Sequence, residues 1–162
     1  MSLKVYRAKR DFKKTPEPKA PSPRGKTSSS LPGRTYAIQE HHATRLHYDL
    51  RLEEGGVLKS WAIPKIPPRK AGEKRLAVQT EDHPLDYAGF EGVIPKGEYG
   101  AGTVRVWDAG VYRPLETVEG KRIVEIRGRK LKGVFALIRL KSRPGDKPGG
   151  ANWLFFKTGS RP

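Results

Sequence analysis

From Arg45 to Glu53 polar and apolar residues alternate without a fault. Leu46, Tyr48, Leu50 and Leu52 interleave with Arg45, His47, Asp49, Arg51 and Glu53. Successive side chains of a strand point to opposite faces, so this period of two predicts a β-strand with one apolar and one ionisable face. Glu54-Gly55-Gly56 reads as a hairpin turn, and Val57 to Ile63 as the returning strand, stopped by Pro64 and the Pro67-Pro68 pair. Further strand candidates are Arg75–Thr80, Thr103–Trp107, Arg122–Ile126, Val134–Leu140 and Trp153–Phe156, with Gly or Pro in most of the gaps. No long stretch carries an apolar stripe of period 3.6. The one helical expectation is a short turn near Leu115–Val118. Short strands separated by turn signals predict an all-β chain, an antiparallel barrel or sandwich.

Charge divides the chain. The 162 residues carry a net +16, which calls for a polyanionic partner, either nucleic acid or an anionic membrane surface. Residues 1–34 hold ten Lys or Arg against Asp11 and Glu17, five prolines and the run Ser28-Ser29-Ser30. Such a segment buries too little apolar surface to offset its ordering entropy, so composition reads most of it as an irregular basic arm. Residues 35–160 hold most of the large apolar side chains and form the expected domain. There are no cysteines, which excludes disulfides, thiolate zinc sites and a cysteine nucleophile. No apolar run approaches the roughly 20 residues of a membrane span, and the first residues lack the apolar stretch of a signal peptide. The expectation is a soluble cytoplasmic protein with no membrane partner.

The histidines fall between positions 41 and 83, three of them at His41, His42 and His47. His47 and Asp49, two apart on a strand, point the same way. With a second imidazole just upstream they supply the ligand types favoured by Mn, Fe or Zn. The bland reading, a polar solvent-facing strand with incidental histidines, is weaker because three histidines cluster and one face is wholly ionisable. Arg45 and Arg51 share that face, and guanidinium beside a metal suits a phosphate substrate. His83 sits in what reads as a polar loop after a strand. Gly97-Glu98-Tyr99-Gly100-Ala101-Gly102 precedes a strand and not a helix, so it is no P-loop, and its glycines serve tight turns. Trp61, Trp107 and Trp153 read as core residues rather than base-stacking ones.

The run His41-His42-Ala43-Thr44-Arg45-Leu46-His47-Tyr48-Asp49-Leu50-Arg51-Leu52-Glu53 closely resembles the 3′-phosphoesterase domain of bacterial DNA ligase D and its free-standing relatives. The likeness continues through Leu58–Lys65, Lys74–Gln79, Glu81–Tyr87, Glu91–Pro95, Gly97–Trp107 and Asn152-Trp153, and reaches back to Lys9-Arg10-Asp11-Phe12. The resemblance implies a compact antiparallel β-barrel and a Mn²⁺-dependent enzyme of DNA repair by non-homologous end joining, other divalent transition metals being alternatives. It implies removal of a 3′-terminal ribonucleoside, then of the 3′-phosphate, to leave a 3′-hydroxyl. By motif position His41, His47 and Asp49 would bind the metal, with His42 as the competing neighbour. Arg51, His83 and Tyr87 would belong to the catalytic core. Lys65 and Arg75 would contact the phosphate, Gln39 would sit beside the ligands, and Arg10 and Glu17 would fold back from the arm. The implied partners are a DNA primer-template end and ligase, polymerase and Ku-type end-joining proteins, at the nucleoid.

Two other readings compete. A non-catalytic nucleic-acid-binding β-barrel explains the charge but leaves the histidines idle. A non-haem iron oxygenase with two histidines and a carboxylate leaves the cations unexplained.

Overall fold

The alternating segment forms the strand its pattern predicts. β2, Leu46–Glu54, turns at Gly55-Gly56 and returns as β3, Val57–Ile63, with Leu50 opposite Trp61 and Arg51 opposite Ser60. The structure, a computed structural model, describes residues 3–19, 33–141 and 151–158. The Ser28-Ser29-Ser30 run, with the rest of residues 20–32, lies outside the described residues. Seven more strands complete the sheet among the described residues. They are β1 (Arg34–His42), β4 (Lys74–His83), β5 (Gly92–Ile94), β6 (Gly102–Val118), β7 (Lys121–Gly128), β8 (Lys132–Arg139) and β9 (Asn152–Lys157). Neighbours run β1-β2-β3-β4-β9-β8-β7-β6, and β6 pairs back onto β1. That closes an eight-stranded antiparallel barrel, with the short β5 added along β6. Closure leaves none of the eight with a free edge.

The apolar side of the alternation fills the barrel. Tyr48, Leu50 and Leu52 meet Tyr36, Ile38, Trp61, Ile63, Phe135 and Phe155 in one buried cluster. Each such side chain contributes about 1.5–3 kcal/mol on burial. Trp61 and Trp153 lie in this core edge to face, 5.5 Å apart, and Trp107 packs against it from the rim, as the sequence predicts. A second, smaller cluster of Tyr6, Leu58 and Tyr87, with Phe12, Leu85, Ala88 and Phe90 against it, lies apart from the barrel core. It joins the N-terminal segment and the 3₁₀ helix Leu85–Gly89 to the barrel wall.

Two expectations need correction, and the pattern also misses two strands. Leu115–Val118 is strand, not a helical turn: it completes β6 and pairs with β7 through a bulge between Pro114 and Glu116, so cross-strand bonding overrides the local pattern. β1 and β5 carry no alternation that marks them, β1 because Tyr36 to Gln39 are all buried. His83 closes β4 and is not in a loop. Within the described part of the arm, Lys4–Ala8 form a short helix, α1, whose Tyr6 is buried.

One buried carboxylate fixes the turn between β7 and β8. Asp108 accepts the backbone N–H groups of Arg129, Lys130 and Leu131 at 2.7, 2.9 and 2.9 Å, and the Tyr36 hydroxyl at 2.7 Å. Burial, then the charge of Asp108, push the Tyr36 hydroxyl far above its ordinary range, so it stays a donor. Asp108→Ala orphans these donors, and leaving even one buried donor unpaired costs about 1–3 kcal/mol. The expected result is a loss of about 3 kcal/mol in a urea melt, with Asp108→Asn in between.

Candidate active site

The ionisable side of the alternation faces away from the barrel core and forms the floor of a pocket. His41 stands directly across from His47 in the β1–β2 register, and Gln39 across from Asp49. The two imidazole rings lie 4.7 Å apart. His41, His47 and Asp49 each offer a ligand atom, all within 4.8 Å of one another. His42 points to the other side of β1, exposed, with Nε2 2.7 Å from Glu40 Oε2, and it does not join this group.

Hydrogen bonds to backbone fix which nitrogen of each ring is free. His41 Nε2 donates to the Gly100 carbonyl at 2.7 Å, and His47 Nδ1 to the Arg45 carbonyl at 3.1 Å. The remaining nitrogens, His41 Nδ1 and His47 Nε2, face the Asp49 carboxylate at 3.5 and 3.3 Å. Two lone pairs aimed at a carboxylate repel unless a proton or a metal ion sits among them. This donor set therefore fits a divalent metal, and the carbonyl partners are what orient metal-binding histidines. Gly100, at φ 77°, presents its carbonyl from a loop where Gly97 and Gly102 also have positive φ, so these glycines do serve turns.

Asp49 and Arg51 are not on a solvent-facing strand side. They are 7% and 3% exposed, and Tyr87 of the 3₁₀ helix packs against Arg51. Burial would raise the Asp49 carboxyl. The Arg51 guanidinium, with Nη2 3.6 Å away, opposes this, and the carboxyl is held far below the usual carboxylate range. Arg51 is itself held: Nε donates to Gln39 Oε1 at 2.9 Å, and the guanidinium lies 5.0 Å from the Tyr87 ring. Gln39 Nε2 in turn donates to the Tyr87 and Phe90 carbonyls at 2.6 and 3.0 Å, tying β1 to the 3₁₀ helix.

His83 reaches the site through a strand irregularity. Between the Ser60–Thr80 and Leu58–His83 pairs, β4 carries one extra residue, which turns His83 and not Asp82 onto the face of Ser60. Its Nδ1 donates to the Glu81 carbonyl at 2.9 Å and lies 3.3 Å from Ser60 Oγ, whose proton goes to the Leu58 carbonyl at 3.1 Å. Arg51 Nη1 also lies within hydrogen-bonding distance of this Nδ1, at 3.3 Å. Burial, then the Arg51 and Arg10 charges, hold His83 well below its ordinary pKa, so it is neutral; with Nδ1 donating to the Glu81 carbonyl, Nε2 is left as the acceptor.

The arm supplies the opposite wall. Arg10 Nε donates to Glu17 Oε2 at 3.0 Å, and NH1 to Glu81 Oε2 at 3.3 Å and to the Tyr6 carbonyl at 3.1 Å. Its guanidinium lies 4.0 Å from the Tyr6 ring centre. The buried Glu17 also receives the Tyr87 hydroxyl and the Thr15 hydroxyl, the latter at 2.9 Å. Burial pushes the Tyr87 hydroxyl far above its usual range, and it remains a donor. Arg10, Glu17, His41, His47, Asp49, Arg51, His83 and Tyr87 thus line one pocket. Lys65 and Arg75 are not among its lining residues. Lys65 is exposed in the segment after β3, and the Arg75 guanidinium donates to the Ile66 and Lys74 carbonyls at 2.7 and 3.2 Å. Sequence reasoning missed Glu81, which faces Lys9, Arg10 and His83 at 3.4, 3.3 and 3.9 Å. Its only signal was a carboxylate two residues before His83.

The description DNA ligase D 3′-phosphoesterase domain belongs to a family model that matches residues 39–139. The chain is 51% identical over 146 residues to the multifunctional non-homologous end joining protein LigD of Pseudomonas aeruginosa, covering 87% of this chain and 17% of that protein. It is 48% identical over 163 residues to the protein of the same description from Mycolicibacterium smegmatis, covering 94% of this chain and 20% of that protein. Against the multifunctional non-homologous end joining DNA repair protein LigD of Mycobacterium tuberculosis it is 51% identical over 141 residues, 85% of this chain and 18% of that protein. The chain spans a fifth or less of the length of these curated relatives.

Proposed function

The chain belongs to the DNA ligase D 3′-phosphoesterase domain family, and from that premise we propose that it is a divalent-metal-dependent phosphoesterase that heals DNA 3′ ends. It hydrolyses the ester to a 3′-terminal ribonucleoside, so that the leaving 5′-oxygen takes a proton and a 3′-phosphate remains. It then hydrolyses that phosphate, and the 3′-oxygen takes a proton. The observation that carries this reading is one buried pocket in which a His-His-Asp ligand set, two guanidinium groups and a neutral histidine converge. The net charge of +16 supports a polyanionic substrate.

His41, His47 and Asp49 would hold the metal, which when bound supplies Lewis-acid stabilisation of phosphoryl charge. Two imidazoles disfavour Mg²⁺, which prefers oxygen, and suit a first-row transition ion; among these, Mn²⁺ is the ion the family resemblance implies. Arg51 and Arg10 bracket the space a phosphoryl group would enter, and preformed cations there need no rearrangement as charge develops. Their charges also hold His83 neutral. A phosphate dianion between them cancels that effect and raises the proton affinity of Nε2. His83 then becomes an acid for the leaving oxygen when substrate is present. Lys65 and Arg75 would serve the monoesterase step from outside the pocket. Residues 1–34 act as the arm, and residues 35–160 as the phosphoesterase domain. The 3′-hydroxyl product is what a polymerase or ligase consumes, which fits a role in end joining at the nucleoid beside such enzymes and Ku-type proteins.

The test is a metal-by-substrate matrix with product ends resolved on a gel. With Mn²⁺, a 3′-phosphate oligonucleotide should lose phosphate, and a primer with one 3′-ribonucleotide should pass through a 3′-phosphate. Mg²⁺ should be poorer and EDTA should abolish both. Full turnover in EDTA would contradict the metal role, and binding without turnover in every metal would favour the non-catalytic barrel.

A further inference from the structure

Resting on the phosphoesterase reading, the next question is what tells the pocket that its phosphate is attached to a nucleotide. The cations and the ligand set recognise phosphate alone. Tyr99 is placed differently. It lines the pocket yet is 46% exposed, and it belongs to neither hydrophobic cluster. Its ring is held by the arm: Lys9 Nζ lies 4.5 Å and the Arg10 guanidinium 5.2 Å from the ring centre, and Lys9 Nζ donates to the hydroxyl at 3.2 Å. The next residue, Gly100, carries the carbonyl that fixes His41. An aromatic ring is therefore anchored within one residue of the ligand set, with much of its surface left to water.

We propose that Tyr99 is the stacking platform for the nucleobase of the nucleotide whose 3′-oxygen bears the phosphoryl group. Every base offers a π face, so such a platform accepts all four bases while rejecting phosphates that carry none. Cations over the ring add order while the residue stays 46% exposed, and a rigid tyrosine loses little freedom on contact. The arm then has two functions at one place, since Arg10 both lines the phosphate space and steadies the ring.

The experiment compares two oligonucleotides that differ only at the end, one closing in thymidine 3′-phosphate and the other in a tetrahydrofuran abasic residue bearing 3′-phosphate. Wild type should favour the base-bearing end in kcat/KM by roughly 10- to 100-fold. In Tyr99→Leu that ratio should fall towards one, in Tyr99→Phe most of it should survive, and in Tyr99→Trp it should hold or grow. An unchanged ratio in Tyr99→Leu would overturn the proposal. So would an equal fall in Tyr99→Phe, because the hydroxyl tie to Lys9 would then be what matters. A wild type that turns over both ends equally defeats the stacking proposal but leaves the phosphoesterase reading standing. A wild type that turns over neither end defeats the phosphoesterase reading, and the stacking proposal with it.

Discussion

His47→Ala should lose roughly 10³-fold or more of turnover on both a 3′-phosphate and a 3′-ribonucleotide end, with thermal unfolding close to wild type. The loss follows from the several kcal/mol of charge stabilisation a metal supplies, at about 1.4 kcal/mol per tenfold. The tolerance follows from position, since the His47 side chain is 25% exposed and packs in neither cluster. Asp49 differs. Its side chain is 9% exposed beside an Arg51 that is 4% exposed, so Asp49→Ala leaves a guanidinium buried without its counter-charge. Removing one partner of such a pair costs about 3–5 kcal/mol, and lost activity there would be confounded by lost fold. Asp49→Asn keeps the shape and some hydrogen bonding, and should be inactive while still folding. The alternating pattern alone suggests that both residues could be cut to Ala without harm to the fold; the burial of Asp49 removes that equivalence. Near wild-type rates in His47→Ala would move the metal elsewhere.

Arg10→Ala should lower turnover by roughly 10²–10³-fold at saturating DNA, the scale for removing one preformed donor from a desolvated site. The guanidinium is 4% exposed, between the carboxylates of Glu17 and Glu81 and the Tyr6 carbonyl. Lys13→Ala and Lys14→Ala should be mild, because both side chains are exposed and act only through diffuse charge. Arg10→Lys should restore only part, since an ammonium cannot bridge Glu17 and Glu81 as the planar fork does. The kinetic split is the check: a general charge effect raises the DNA concentration needed and is mimicked by salt, whereas loss at the site lowers kcat. If Arg10→Ala behaved like added salt, the arm would be a tail.

The strands easiest to read from the sequence were those with one face in the barrel and one outside it. β2 and β3 announced themselves because Leu50 and Trp61 go inward while Asp49, Arg51 and Ser60 do not. β1 gave no such signal, because its middle is covered on both faces: Ile38 lies in the barrel core and Gln39 under the 3₁₀ helix. The row of ionisable groups was legible as chemistry, but its burial was not. Part of the wall beside it comes from a segment whose composition is that of a soluble tail, since Arg10 and Glu17 line the same pocket. Tyr6 and Phe12 are too widely spaced among cations to read as anchors, and only the fold brings them to Leu58 and Tyr87. His83 was hidden for a local reason, the extra residue that reverses the facing of β4 after Thr80. Arg10 and Glu17 entered by resemblance alone, since no periodicity links residues 10 and 17 to strands that begin beyond residue 33.

The most direct measurement is a Mn²⁺ titration of the purified protein followed by electron paramagnetic resonance of the free ion, in wild type and His47→Ala. The account predicts one tight Mn²⁺ per wild-type chain and loss of that site in the variant, without any need for DNA. No tight binding by wild type, or the same binding in His47→Ala, would contradict it.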